Sequence, residues 1–235
     1  MTKIYCSIDT PDINLAMRLA QQVSEVGCGV KLGLEFFSVN GADGIKKVSD
    51  ACPNSKIFLD LKFHDIPNTV AGALRGVARL GVSYVNCHAS GGVEMMKAGL
   101  DALAEESNRL GLTAPKFLAV TVLTSLNEQA LNEMGQTGSP QDQVIRLAKL
   151  TQMAGLAGIV CSGHEIKLVR GELGQDFVLM VPGIRPAGSD VGDQKRVMTP
   201  REAMDAGATH LVIGRPITGA NDPAKAASDI LKSLE

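Results

Sequence analysis

The segment DLKFHD, residues 60–65, contains two aspartates and a lysine, and the apolar run VKLG contains one more lysine, Lys31. Asp60 and Lys62 are two residues apart in a β-rich apolar run, so both side chains should lie on the same side of one strand. Lys31 supplies a second ammonium group from another such run, and Asp65 follows in the next loop. Lysines set among carboxylates are typical of sites that stabilise developing charge and transfer protons. An internal ion-pair network that only orders the fold is the alternative.

A second group of polar residues has the chemistry of a phosphate site. In the segment GRPIT, Gly214 offers a free backbone N–H and Arg215 a bidentate cation. Arg185 and Gln194 precede them in the chain and add further donors. We expect these four residues to bind a phosphate group, and an ordinary surface arginine is the alternative for Arg215.

Two further polar residues follow predicted strands. Thr124, in the segment TVLTS, could hydrogen-bond to a polar ring, although helix capping explains the same threonine equally well. Asp9, in the segment SIDT, ends the first predicted strand. Both therefore join the candidate site residues.

These candidates lie at or just after the ends of short apolar runs that are typical of strands. Eight such runs alternate with helical patterns, at 3–8, 28–33, 56–61, 83–88, 116–121, 157–161, 177–181 and 209–214. Their spacing accommodates one strand, one helix and two loops each time, which predicts a (β/α)₈ TIM barrel. In that fold the active site lies at the carboxyl ends of the strands.

Helix-start signals support this division of the chain. Thr10-Pro11 predicts the start of the first helix, Thr199-Pro200-Arg201-Glu202 a capping box, and Asn221-Asp222-Pro223 the start of the last helix. The polar stretch 126–141 predicts an additional short helix and turn. The Gly- and Pro-rich segment 183–194 predicts an active-site lid.

The composition fits one soluble catalytic domain over residues 1–235. Lys+Arg 23 against Asp+Glu 25 gives a formal net charge of −2, which argues against nucleic acid or an anionic membrane as a partner. Hydrophobic residues at 45% can build a large core, and an aromatic share of 3% favours an aliphatic interior. The N-terminus enters a strand-like segment without a signal sequence, and no apolar run could span a membrane. We expect a cytoplasmic protein.

The cysteines and histidines give no sign of a metal site. The five cysteines are widely spaced and form no CxxC pair, which disfavours both a disulfide framework and a zinc site. The four histidines are scattered over different strand-helix units. We expect no bound metal.

The chain resembles the orotidine 5′-phosphate decarboxylase family. The segment FLDLKFHDIPNT, residues 58–69, fits the family signature D-x-K-x-x-D-[IV]-x-x-T, whose last position is Thr69. SIDT, VKLG, TVLTS, VPGIRP, GDQKRVMTP and VIGRPIT stand in the family's order. The resemblance therefore extends across the chain, and it is to the short, monofunctional bacterial form.

This resemblance implies conversion of orotidine 5′-monophosphate to uridine 5′-monophosphate (UMP) and CO₂, the last step of de novo pyrimidine synthesis, without a metal or organic cofactor. Lys62 would protonate the carbanion at C6, and Asp60 would lie near the substrate carboxylate. Lys31 and Asp65 would keep the array neutral and hold Lys62 in place. The resemblance also implies a homodimer in which Asp65 reaches into the partner's site.

The resemblance assigns the remaining candidates to substrate binding. Asp9 and Lys31 would bind ribose hydroxyls, Thr124 would contact the pyrimidine edge, and Thr69 would help to shape the site. The residues expected to bind the 5′-phosphate are Arg185, Gln194, Gly214 and Arg215.

Three other functions compete with this one. A metal-dependent sugar-phosphate decarboxylase or aldolase of the same barrel suprafamily needs an acidic ligand on the second strand, where Lys31 takes the inward position and Glu35 lies beyond the strand end. A non-catalytic nucleotide-sensing barrel would need the phosphate group but not the array of lysines and aspartates. A phosphate-sugar epimerase normally requires metal-binding His and Asp at several strand ends.

Overall fold

Eight parallel strands close into a barrel in a computed structural model that describes residues 2–186 and 198–235. The strands are β1 (Ile4–Ile8), β2 (Gly29–Gly33), β3 (Ile57–Phe63), β4 (Tyr84–His88), β5 (Lys116–Val120), β6 (Gly158–Val160), β7 (Val178–Val181) and β8 (His210–Ile213). Each strand pairs with the next, and β8 pairs with β1. The predicted (β/α)₈ fold is confirmed, and the strands lie where the eight apolar runs indicate.

Helices occupy the connections and cover the outside of the barrel. They are α1 (Ile13–Glu25), α2 (Leu34–Ala51), α3 (Pro67–Ala78), α4 (Gly92–Leu110), α5 (Glu128–Glu133), α6 (Pro140–Met153), α7 (Ile166–Leu173), α8 (Pro200–Asp205), α9 (Arg215–Thr218) and α10 (Pro223–Lys232). The short α5 confirms the additional helix predicted within 126–141. Most of the predicted lid, including Gln194, lies outside the described residues.

Two of the three predicted helix starts are confirmed and one is wrong. Thr199 and Glu202 form a capping box at α8, and Asp222 caps α10. The first helix begins at Ile13 rather than at Pro11, because the Asp12 carboxylate accepts the backbone N–H groups of residues 14 and 15. The first N–H groups of a helix have no partner within the helix, and the Asp12 carboxylate accepts two of them. The helix therefore begins after Asp12 and not at the Thr-Pro pair.

Three of the eight aromatic residues cluster inside the barrel, at the amino ends of the strands. Tyr5, Phe58 and Tyr84 are buried there and meet edge to face, with 5.7 Å between the ring centroids of Tyr5 and Tyr84. Gly29 makes room for this cluster, because a Cβ at that position would lie 2.6 Å from the Tyr5 ring. Mainly aliphatic side chains, with a few phenylalanines and methionines, fill the second layer, between the strands and the helices. The amino half of the barrel is therefore a packed apolar plug.

His210 closes this amino end with two hydrogen bonds. Its Nδ1 lies 2.9 Å from the Thr2 carbonyl oxygen, which can only accept, so Nδ1 carries the proton. Its Nε2 lies 2.8 Å from the Tyr84 hydroxyl and accepts from it. Burial lowers the pKa of His210, and Lys116 lowers it further. The imidazole is held neutral.

The five cysteines are buried free thiols. Burial raises the pKa of Cys28 and that of Cys87 to about 12, so both remain protonated at neutral pH. Within residues 2–186 and 198–235, no helix combines the length and the apolar character needed to cross a membrane.

We predict that His210 makes the stability of the fold depend on pH. Because its pKa is lower in the folded chain, the unfolded chain binds a proton first as the pH falls below about 6.5, and the stability contribution is lost toward the folded-state pKa. Urea unfolding between about pH 7.5 and 5.5 should show the free energy of unfolding falling more steeply in the wild type than in His210→Gln. Parallel curves for the two proteins would contradict this role.

Candidate active site

The carboxyl half of β3 forms the centre of the candidate site and is irregular. Its register with β4 shifts between Leu59 and Phe63, where four residue steps of β3 oppose two of β4. Among the described non-glycine residues only Lys62 has a positive φ, 53°. Such a conformation costs about 1–3 kcal/mol and persists only where its surroundings hold it. Lys62 is therefore placed by its neighbours and not by its own backbone preference.

A continuous row of ion pairs connects β1, β2 and β3. Lys62 Nζ lies 2.7 Å from Asp60 Oδ1, and Lys31 Nζ lies 3.5 Å from Asp60 Oδ2. Lys31 Nζ also lies 2.9 Å from Asp9 Oδ1, while the Ser7 hydroxyl donates to Asp9 Oδ2 at 2.7 Å. The structure thus brings together four of the charged residues that the sequence selects, with lysines and aspartates alternating.

Asp60 and Lys31 are the two buried members of this row. The exposed fraction of the side chain is 12% for Asp60 and 10% for Lys31, against 28% for Lys62 and 50% for Asp9. Burial alone would raise the pKa of Asp60, but the Lys31 and Lys62 ammonium groups, with hydrogen bonds from Lys62 and Asn86, hold the pKa below its usual value. Asp60 is ionised at neutral pH and fixed between two cations.

The row opens into a cavity of about 180 Å³ at the carboxyl ends of the strands. Lys31, Asp60 and Lys62 form its charged side, and Thr124 lies on its edge. The other lining residues are apolar or weakly polar: Phe58, Val120, Val122, Leu123, Val160, Cys161, Pro182 and Val212. A ligand here would have a polar group against the ion pairs and a flat apolar surface against the opposite wall.

Asn86 is a site residue that the sequence reasoning missed. It lies on β4, its side chain is fully buried, and its Nδ2 donates to Asp60 Oδ1 at 2.7 Å. Its Oδ1 accepts the backbone N–H of Lys62 at 2.8 Å. The only local signal is an amide side chain at the centre of β4, flanked by Val85 and Cys87.

His88, on the same strand, is a second residue that the sequence did not select. Its ring lies 5.5 Å from that of His64, measured between centroids. Burial lowers the pKa of His88, and the nearby His64 and Lys62 lower it further. His88 therefore lies beside the charged row with a pKa below its usual value.

The structure does not bring Asp65 into the row within a single chain. Asp65 is exposed in the loop after β3, and its Oδ1 accepts the backbone N–H of Ile66 at 2.6 Å. In the described part of the chain its carboxylate forms no ion pair with Lys31 or Lys62. Thr69 is likewise exposed, in the first turn of α3.

The predicted phosphate residues that can be located follow β7 and β8, at the same mouth of the barrel. Arg185 follows β7, is 9% exposed, and donates its backbone N–H to the Met198 carbonyl. Gly214 follows β8, and a Cβ there would lie 3.4 Å from Ser7, next to the row of ion pairs. Arg215 begins α9 and is exposed. The position of Gln194 falls outside the described residues.

The position that a metal-dependent relative would need for an acidic ligand holds the Lys31 ammonium. Glu35, the nearest acid in sequence, is exposed in the first turn of α2. Within the described ranges no three His, Cys, Asp or Glu side chains converge to hold a metal ion. The charges present at this mouth are instead paired with one another.

Fold and site together define a class of protein: a (β/α)₈-barrel enzyme whose centre is a buried aspartate between two lysines. The Orotidine 5′-phosphate decarboxylase / HUMPS family matches residues 2–230. The chain belongs to this family.

Similar proteins span nearly the whole chain. The orotidine 5′-phosphate decarboxylase of Rhodospirillum rubrum is 52% identical over 226 residues, which cover 95% of this chain and 90% of the relative. That of Pseudoalteromonas translucida is 49% identical over 233 residues, 99% of this chain and 97% of the relative. The crystal structure of the Lactobacillus acidophilus enzyme aligns with a TM-score of 0.87 at 37% identity, with both chains fully covered.

We predict that Lys31→Met lowers the free energy of unfolding, because it removes a buried ion pair with Asp60. It leaves the buried Asp60 with one ammonium group instead of two, and breaking a buried pair costs about 3 kcal/mol. The matched control is Lys149→Met, which removes the exposed pair with Glu172 and should cost less than about 1 kcal/mol. Urea unfolding at neutral pH measures both, and equal losses would show that the row is not tightly coupled.

Proposed function

We propose that this protein decarboxylates orotidine 5′-monophosphate to UMP and CO₂, the last step of pyrimidine nucleotide synthesis. The observation that carries the proposal is the row Asp9, Lys31, Asp60 and Lys62 at the carboxyl mouth of the barrel, in a member of this family. The carboxyl mouth is where (β/α)₈ barrels build their active sites.

The reaction needs stabilisation of negative charge on a ring carbon. Breaking the bond between C6 and the carboxylate leaves an electron pair on C6, and no adjacent carbonyl delocalises it. The Lys62 ammonium, held 2.7 Å from Asp60, would stabilise this pair and then donate a proton to C6, and the resulting amine would regain a proton from water. Preorganisation matters because an ammonium group already in place needs no reorganisation when the charge develops.

Asp60 would have two roles in this mechanism. It holds Lys62, and its negative charge would lie near the substrate carboxylate, where repulsion is relieved as CO₂ departs. We rank this repulsion second to carbanion stabilisation, because Asp60 is itself closely paired with both lysines.

The remaining residues would bind the nucleotide. Asp9 and Lys31 would hydrogen-bond to the ribose hydroxyls, Thr124 would contact the pyrimidine edge, and Thr69 would help to shape the site. The groups we propose for the 5′-phosphate are Arg185, Gln194, Gly214 and Arg215. Because the phosphate is remote from C6, the free energy of binding it can be used to lower the barrier at C6.

We further propose that residues 1–235 form one catalytic domain that acts in the cytoplasm as a homodimer without a metal or organic cofactor. Asp65 would complete the charged row of the partner subunit, which agrees with its exposed position and its lack of an ion pair to Lys31 or Lys62 in the described chain. The buried free thiols are compatible with a reducing compartment.

The direct test follows the ultraviolet absorbance of orotidine 5′-monophosphate mixed with the protein in EDTA. We expect conversion to UMP in the wild type and a fall in kcat of about 10³-fold or more in Lys62→Ala, with UMP still bound. Arg215→Ala is the contrast, since it should mainly weaken binding of the nucleotide. An inactive wild type would overturn the function, and near-normal turnover by Lys62→Ala would overturn the mechanism.

Mixing two inactive variants tests the shared site. In a heterodimer of Lys62→Ala with Asp65→Ala, one of the two sites has both Lys62 and the partner's Asp65 intact. Random reassociation should therefore restore about a quarter of the wild-type sites. A mixture that stays as inactive as its two components would exclude sharing of Asp65.

A further inference from the structure

We propose that Asn86 is a positioning residue that holds Asp60 and Lys62 in their reactive arrangement. The inference rests on the proposed decarboxylation, in which these two groups act on the substrate. Asn86 would act through Asp60 and Lys62 and needs no contact of its own with the nucleotide.

Asn86 bridges the side chain of one catalytic residue and the backbone of the other. Its Nδ2 donates to Asp60 Oδ1 at 2.7 Å, the same oxygen that receives Lys62 Nζ at 2.7 Å. Its Oδ1 accepts the Lys62 backbone N–H at 2.8 Å. The side chain is fully buried, so water cannot replace these bonds without rearrangement of the barrel.

The irregularity of β3 explains why such a bridge is needed. Between Leu59 and Phe63 the register with β4 is lost, so the Lys62 N–H has no regular ladder partner there. Lys62 also has an unfavourable φ of 53°. The amide oxygen of Asn86 takes the place of a strand carbonyl and stabilises this conformation.

An amide suits this position better than other side chains of similar size. It donates to a carboxylate and accepts from an N–H at the same time, and it carries no charge. A leucine makes neither bond. An ionised aspartate could accept from Lys62 but would repel Asp60, and only a protonated aspartate reproduces both bonds.

The charged and titratable groups around this bridge are few. Asp60 and Lys62 face it from β3, with Lys31 and Asp9 behind them in the row, and His88 lies on its own strand beside His64. On β5 the residue in register with Asn86 is Leu118, and the side chains that β5 and β6 contribute to the cavity, Val120 and Val160, are also apolar. Protonation of a new carboxyl at position 86 would therefore be set mainly by Asp60 and the two lysines.

The first experiment compares kcat with UMP affinity in Asn86→Ala and Asn86→Leu. We expect kcat to fall by about 10²-fold, as for a misplaced catalytic group, while the Kd for UMP changes less than about threefold. Thr151→Val is the matched control, because Thr151 is as fully buried but its side-chain hydroxyl donates to the Leu147 carbonyl within α6. A kcat close to that of Thr151→Val, or equal losses in kcat and UMP affinity, would overturn the proposal.

The second experiment uses pH to separate positioning from packing. The kcat of Asn86→Asp relative to wild type should rise as the pH is lowered from about 8 to 6, because the protonated carboxyl regains the donor to Asp60. The ratio for Asn86→Leu should stay flat. If the ratio for Asn86→Asp is also independent of pH, the hydrogen bonds of residue 86 do not control kcat and the proposal is overturned.

A crystal structure of Asn86→Leu tests the inference without activity, so a wild type that fails to decarboxylate leaves this arm intact. We expect Lys62 to leave its positive φ and Nζ to move away from Asp60 Oδ1. Retention of the wild-type φ and of the 2.7 Å contact would overturn the proposal.

Discussion

A carboxylate buried at the mouth of a barrel is stable only while cations and donors surround it, and the site is built around this constraint at Asp60. Its two oxygens contact Lys62, Lys31 and Asn86, which come from three adjacent strands. Loss of one partner would leave charge uncompensated in an apolar cavity. The same requirement orders the lysines, because each is held by the carboxylate it neutralises.

The barrel separates stability from chemistry along each strand. On β3 the inward-facing residues run from Phe58, in the aromatic plug, through Asp60 to Lys62 at the open mouth. The plug provides close packing and no charged groups, whereas the mouth contains an unfavourable backbone conformation and clustered ions. Apolar packing at the amino ends of the strands stabilises the barrel, so the unfavourable backbone conformation of Lys62 can be maintained at the mouth, where it positions the ammonium group.

Local patterns in the sequence predict most of the fold, because apolar runs and caps are properties of short segments. Part of the row of charges could be predicted for the same reason, because residues two apart on a strand, such as Asp60 and Lys62, lie on the same side of it. The role of Asn86 could not be predicted, because its bonds to Asp60 and to the Lys62 backbone depend on the irregularity of β3, which has no local signature in the sequence. Asp65 was selected from its position in the loop after the third predicted strand and from the family signature, and the described chain alone gives it no ionic partner among the lysines of the row.

The hydrogen bond between His210 and the Thr2 carbonyl holds the first described residue of the chain against β8. Thr2 lies at the amino ends of the strands, on the opposite side of the barrel from the cavity that contains Asp60. An affinity tag, dye or surface linker attached through this end would therefore project away from the substrate entrance. Immobilised on a sensor in that orientation, the molecule would present its open mouth to solution.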